Sequence, residues 1–196
     1  MPTKKRAIIG LRGIALAPVT DNTVLAYKSS AASIALQFAG QMSRTAKEKT
    51  QDVFYDDELY AQVKDILGED VEIRLGEVML ETLADLGLGD FDAITQSFEG
   101  DFTPMRAEYS LRCVTETVDK VAYYFNWRVF DLTGVRFDNF ATKGDSITVC
   151  EVIITGVFKR PALAGVKPYA IMRLSETGDN QEACDTFLKS GESFPA

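Results

Sequence analysis

Strict alternation of apolar and polar residues is clearest in the middle of the chain. The alternation is strict from Met105 to Cys113, and from Val121 to Phe130 large apolar residues recur at every second position, namely Val121, Tyr123, Phe125, Trp127 and Val129. A period of two is typical of a strand with one buried face, so the first stretch predicts a long strand whose other face is wet. Asp119-Lys120 lies between the two stretches and predicts a turn. Together they predict a β-hairpin.

Further strands and two helices are predicted along the rest of the chain. The other strand patterns lie at Ile8–Ala17, Ser33–Phe38, Val71–Leu75, Ser146–Phe158 and Tyr169–Leu174. Helical spacing replaces the alternation from Glu77 to Leu86, and Gly87 is a natural C-cap. A capping-box pattern of Asp179 with Glu182 predicts a short C-terminal helix. We therefore expect a mainly β (α+β) fold, an antiparallel two-sheet β-sandwich with two short helices.

The chain is short enough for one domain, 1–196, in which two segments differ from the rest. Ser43 to Asp52 contains no large apolar side chain, so a mobile polar loop is expected at about 40–53. Asp56, Asp57 and Glu58 follow it, but without the spacing and glycine of a calcium loop they predict a solvated or interface-facing acidic patch. A strand and helix form a C-terminal extension at about 161–196.

The charged residues narrow the possible functions. There are 29 acidic and 21 basic residues and no histidine, which gives a formal charge of −8. Without histidine the chain cannot by itself form a zinc finger, a Ser-His-Asp triad or a Cys-His dyad. The acidic balance argues against general affinity for DNA, because binding to phosphates depends on basic faces. No apolar run is long enough for a membrane helix.

No catalytic, cofactor or metal site is predicted. The glycine pairs Gly10/Gly13 and Gly87/Gly89 do not extend to a phosphate-binding or dinucleotide-binding pattern. The three cysteines are far apart and form no C-x-x-C motif, which favours free thiols in a reducing cytoplasm.

Several segments resemble one family. Phe140 to Thr148 contains the word ATKGDSI, which is similar to a turn leading into a late strand of the major tail proteins of long, non-contractile bacteriophage tails (siphophages). Val53–Tyr60, the strand and helix of Val71–Leu86, and the helix of Asn180–Leu188 also match the order of elements in that family. The resemblance implies a tail-tube fold with a flanking helix. It also implies hexameric rings that stack into a hollow, acidic conduit for DNA delivery.

The resemblance further implies partners and a location. The protein would contact itself within and between rings, together with tape measure, tail terminator and distal tail proteins. DNA would pass without specific binding, since an acidic wall repels phosphates. The location would be the virion tail, assembled in the host cytoplasm, with no membrane partner and no cofactor.

On this basis the polar loop is expected to order between stacked rings, its cations meeting acids of the neighbouring ring. The inter-ring contact candidates are Arg44, Lys47, Glu48, Lys49, Asp56, Asp57 and Glu58. Glu108 and Glu116, on the wet face of the predicted hairpin, are candidates for facing the lumen.

Two alternatives stay open. One is a tube or ring protein of a contractile injection or secretion system, because tube folds are shared between functions. The other is a carboxylate-based β-sandwich hydrolase, which requires two acids converging in a cleft about 5 to 10 Å apart.

Overall fold

The computed structural model describes residues 8–37, 39–55, 58–76, 80–100, 108–117, 120–138, 151–175 and 177–190. Most of them lie in strands, and the mainly β fold predicted from the sequence is confirmed. The strands are β1 (Ile8–Asn22), β2 (Tyr27–Ser29), β3 (Ile34–Leu36), β4 (Ala39–Tyr55), β5 (Glu58–Leu75), β6 (Gly89–Asp92), β7 (Ser97–Gly100), β8 (Glu108–Thr117), β9 (Ala122–Asp138), β10 (Glu151–Lys159) and β11 (Tyr169–Arg173). The helices are α1 (Leu80–Asp85) and α2 (Gln181–Ser190).

One antiparallel sheet contains nine of these strands, in the order β2-β1-β8-β9-β10-β5-β4, with β3 paired to β1 and β11 paired to β9. The long strand β9 connects its two halves. One edge of β9 pairs with β8, and the other pairs first with β11 and then with β10. Arg44 of β4 lies over the ring of Trp127 of β9, although β5 and β10 separate these strands in the sheet. The sheet therefore curls so that its two halves face each other, as in a sandwich.

The main core lies between these halves and follows the alternation of the sequence. Val71, Ile73 and Leu75 of β5 are buried there, as are Tyr109, Leu111 and Cys113 of β8. Three aromatic rings stack along this core, with the Trp127 centroid 5.5 Å from that of Phe125 and 5.0 Å from that of Phe158. Each fully buried large side chain contributes about 1.5 to 3 kcal/mol. These strands predicted from alternation are confirmed.

Helix α1 closes one side of this core with Leu83, and Leu86 just after the helix is buried beside it. It ends at Asp85, and Gly87, with a φ of 68°, is the cap residue predicted from the sequence. The Leu88 amide donates to the Leu83 carbonyl at 3.1 Å, and the Gly87 amide to the Ala84 carbonyl at 2.8 Å. Both bonds are those of a Schellman cap, which glycine favours because it has no Cβ.

Helix α2 packs on the outer face of the sheet, where a second, smaller cluster forms. Cys184 and Phe187 are buried there against Ala122 and Tyr124 of β9. The helix begins one residue after Asn180, whose side chain accepts from the Ser175 amide at 2.7 Å and ties the helix to the end of β11. The C-terminal helix predicted from the sequence is thus confirmed.

The expected loop at about 40–53 is wrong, because this segment lies in β4. Ser43 pairs with Glu72, Lys47 with Gly68 and Lys49 with Asp65 in an antiparallel ladder with β5, whose register shifts between Lys47 and Glu48. The ladder pairs the backbone groups without large apolar side chains, which is why the apolar pattern did not predict it.

The prediction that one face of the β8–β9 hairpin is exposed to solvent is also wrong at the centre of β8. Ser110 is 0% exposed and Arg112 only 1% exposed. The Arg112 guanidinium donates to Ser29 Oγ at 3.1 Å and to the Ser30 carbonyl at 3.0 Å. The chain around β2 therefore covers this face, a contact between residues more than eighty positions apart that alternation cannot reveal.

Candidate assembly surface

The β4–β5 hairpin extends beyond the strand that pairs with it in the sheet. Its strands have 17 and 18 residues, whereas β10 pairs only with Glu69–Leu75 of β5. Beyond that point, residues 48–55 and 58–66 pair with each other, and we call these two strand segments the arm. The eight residues that β4 contributes, at about 3.4 Å each, give the arm a length of about 27 Å.

Gly68 lies where the arm leaves the sheet. A Cβ at this position would lie 2.6 Å from the Phe158 carbonyl oxygen, which is closer than a Cβ atom approaches a neighbouring heavy atom in proteins. Glycine therefore permits the close approach of β5 to β10 at the base of the arm.

Among the inter-ring contact candidates, the structure describes the side chains of two cations, Arg44 and Lys47. Both pair with acids of the same hairpin. Arg44 Nη1 lies 3.2 Å from Glu69 Oε2, and Lys47 Nζ lies 2.7 Å from Asp70 Oδ1. All four side chains are between a third and a half exposed, so each pair contributes only about 0 to 1 kcal/mol. These pairs leave both cations near the surface at the base of the arm.

Arg44 also contacts the core. Its guanidinium carbon lies 5.4 Å from the ring centroid of Trp127, which is only 7% exposed. Such a cation–π contact contributes about 0.5 to 2 kcal/mol, depending on how far the pair is removed from water. Arg44 thus links the first strand of the arm hairpin to the aromatic stack.

The remaining contact candidates lie outside what the structure describes. Asp56 and Asp57 fall outside the described residues, and only the backbones of Glu48, Lys49 and Glu58 are described. Their proposed contacts with a neighbouring ring remain a prediction.

The lumen candidates Glu108 and Glu116 lie at opposite ends of β8, and both are partly buried. Glu108 Oε2 accepts a hydrogen bond from Asn22 Nδ2 at 2.6 Å, and Asn22 Oδ1 accepts from the Ala162 amide at 2.9 Å. Glu108 therefore helps to hold the end of β1 beside the connection that follows β10. The role of both glutamates in a lumen remains a prediction.

A network of charges covers the outer face of β5, β10 and β9. Arg74 lies 3.0 Å from Glu151, and Arg136 lies 3.1 Å from Glu72 and 3.3 Å from Asp138. Positive and negative side chains alternate in this network, so the net charge of this part of the surface is close to zero.

A polar cluster under β2 was not predicted from the sequence. The Tyr27 hydroxyl donates to the Arg128 carbonyl, and the Arg128 guanidinium lies 5.6 Å from the Tyr27 ring centroid. Burial raises the pKa of Tyr27 above its ordinary value, although hydrogen bonds and the nearby arginines oppose that change. Tyr27 therefore stays neutral at pH 7 and fixes β2 on the sheet.

The two described cysteines are poor nucleophiles. Burial raises the pKa of Cys113 to about 12, with only a partial opposing effect from Arg44. Burial and the neighbouring Asp185 raise the pKa of Cys184. Both thiols are therefore protonated at neutral pH, whereas the thiolate is the reactive form.

Within the described ranges, no three Cys, Asp or Glu side chains are grouped so that they could hold a metal ion. In the described part of the chain, no helix combines the length and apolar character needed to cross a membrane.

The likeness of this chain to known proteins is weak. No family model and no curated protein matches the sequence. The chain is similar to a chain in the cryo-EM structure of the anti-feeding prophage (AFP) baseplate, 6-fold symmetrised, with a TM-score of 0.41 and 9% identity over 88% of this chain and 97% of that chain. A TM-score of 0.41 does not establish a common fold.

Proposed function

We propose that this protein is a structural subunit of a phage tail tube, in which hexameric rings stack into a hollow, acidic conduit for DNA. The proposal is supported by the resemblance of Phe140–Thr148 and its flanking elements to siphophage major tail proteins. The sandwich formed by the curled sheet is compatible with it. The net charge of −8 favours a wall that repels DNA rather than binding it.

The arm is the observation that carries the proposal. A two-stranded hairpin alone is at best marginally stable in water, and gains stability when it packs on another surface. The arm extends past the last contact of β5 with β10, and its described backbone pairs only within the hairpin. A second copy in a neighbouring ring supplies the surface that such an arm needs.

The exposed backbone edge of β4 supports the same conclusion. In the described sheet, β4 is the last strand and pairs only with β5. An edge of this length is a template for pairing with another chain. In a tube, contact between copies protects such an edge.

Deleting the arm tests the proposal. Residues 49–65 are replaced by an Asn-Gly turn that joins Glu48 to Ile66, which face each other in the ladder. Arg44, Lys47, Glu69 and Asp70 then stay in place at the base. Negative-stain electron microscopy over a concentration series should show rings or hollow tubes for the wild-type protein and none for the deletion variant.

A variant with the arm intact, Asp52→Asn with Asp65→Asn, controls for charge, because residues 49–65 carry five acids and two lysines and their deletion removes a net charge of −3. Circular dichroism and thermal melting establish that both variants fold. Tubes formed by the arm-deleted protein would show that the arm is dispensable. A wild-type protein that stays monomeric at every concentration would contradict self-assembly. A sheath gene beside the coding sequence would assign the tube to a contractile particle instead.

A further inference from the structure

Charge is distributed unevenly along this chain. From Leu75 to Met105 there are seven acidic residues and no lysine or arginine, whereas from Val152 to Ser175 there are four basic residues and no acid. The described charged residues of both stretches are exposed. They are Glu81, Asp85, Asp90, Asp92 and Glu99 in the first stretch, and Lys159, Arg160, Lys167 and Arg173 in the second.

The acidic stretch contains the hairpin of β6 and β7, which we call the acidic hairpin (Gly89–Gly100). Asp90 lies directly opposite Glu99, and Asp92 is on the same face by alternation. Like charges directly opposite each other destabilise a strand pair. In the described part of the chain, no ion pair reaches any of these three carboxylates, and no metal-holding group includes them. The acidic hairpin thus carries repulsion that a cationic surface would relieve.

Both charged stretches also expose large apolar side chains. Ile94, in the turn of the acidic hairpin, is 94% exposed. Tyr169 and Ile171, which lie on one face of β11 between Lys167 and Arg173, are 54% and 45% exposed. Apolar residues surrounded by charged ones are typical of a protein interface. We call residues 159–173 the basic segment.

The two surfaces belong to different parts of the molecule. Phe98 of the acidic hairpin packs against the main core. Ala170 and Met172 of the basic segment pack instead against the second cluster, with Cys184 and Phe187 of α2. A chain with two complementary surfaces in different places joins its copies head to tail, the arrangement that generates rings and filaments.

We propose that the acidic hairpin of one copy binds the basic segment of the next copy. Asp90 and Glu99 face Arg160 and Lys167 of the neighbour, and Ile94 packs beside Tyr169 and Ile171. This contact rests on the proposed function, because it supplies one of the joints between subunits. It is independent of the arm, so the two can be tested separately.

Neutralising variants give the first test. Asp92 and Lys159 are left unchanged, because Asp92 accepts from the Ile94 amide at 2.8 Å and Lys159 pairs with Asp131. Asp90→Asn with Glu99→Gln should raise the melting temperature of the unassembled protein, since the opposed charges are removed. The same variant should increase the concentration needed for assembly by about tenfold, the contribution expected of two or three exposed ion pairs.

The matched basic variant, Arg160→Gln with Lys167→Gln, should weaken assembly by a similar factor without raising the melting temperature. Sedimentation velocity over a concentration series measures the assembly of both variants. A merely structural role of the acidic residues would lower stability and assembly together, which would contradict the proposal.

Charge reversal gives the sharper test. Asp90→Lys with Glu99→Lys, and separately Arg160→Glu with Lys167→Glu, should each prevent assembly, because each chain then carries two surfaces of like charge. Mixing the two variants should restore assembly, since each now complements the other. Circular dichroism of each variant shows that it is folded before mixing.

The possible outcomes separate this contact from the proposed function. If the wild type forms tubes and both reversed variants form them equally well alone, the contact is wrong and the tube function stands. If the mixture associates in solution but no tubes are seen for the wild type, the contact stands and the tube function fails. A carbodiimide cross-link between Lys167 and Asp90 or Glu99 of different copies supports the contact, and its absence in an assembled sample overturns it.

Discussion

At the scale of single residues, Arg44 shows what a sequence can and cannot predict. Its position in a polar stretch predicts a cation available for another molecule. The structure adds Glu69 and the ring of Trp127, which come from β5 and β9. The charge was readable from the sequence, but its partners depend on how the sheet curls.

Replacing Arg44 by Met should lower the free energy of unfolding by about 1 kcal/mol, through loss of the cation–π contact and the ion pair. Trp127 is the single tryptophan of the chain, so its fluorescence maximum should shift to longer wavelength as water reaches the ring. Denaturant unfolding followed by fluorescence measures both quantities.

Lys47→Met is the matched control, because Lys47 pairs with Asp70 on the same strand pair. An exposed pair of this kind contributes little, so the change should stay within about 0.5 kcal/mol with no spectral shift. Equal effects of the two substitutions would show that the contact of Arg44 with Trp127 adds no stability.

At the scale of elements, alternation predicts a strand only where one face is buried. The end of β5, β8, β9 and β11 were predicted because one set of their side chains packs in a core. β4 was missed because its residues 43–47 are all exposed, which leaves no period of two to detect. β6 and β7 were missed because each contains only one large apolar residue, Phe91 or Phe98, so no alternation is visible.

Strands β9 and β10 approach each other closely at Gly156 of β10. A Cβ added at Gly156 would lie 2.3 Å from Phe130 Cζ and 2.7 Å from the Asp131 carbonyl oxygen. Gly156→Ala should therefore displace the packing of β9 on β10 and lower the free energy of unfolding by about 1 to 3 kcal/mol.

Gly13→Ala is the control, since a Cβ there would have no neighbour within 4 Å. Urea unfolding of both variants measures the difference. Similar midpoints for the two would mean that the core around Phe130 adjusts without loss of stability.

At the scale of the whole molecule, the net charge of −8 opposes contact with nucleic acid. We expect no saturable binding of duplex DNA up to about 10⁻⁴ M protein at low salt, the weak end of non-specific affinity. Fluorescence anisotropy of a labelled duplex measures this. Saturable binding that weakens with salt would show that the basic segment outweighs the total charge.

The order of the strands in the sheet also determines when each one finds its neighbours during synthesis. β1 meets β2 and β3 early, but its other edge pairs with β8, about 100 residues later, as in the pair of Leu11 with Thr115. At about 5 to 20 residues per second, a ribosome needs about 5 to 20 s to reach that partner. β4 and β5 are adjacent in sequence, so on the nascent chain their hairpin is complete while one edge of the first strand is still unpaired.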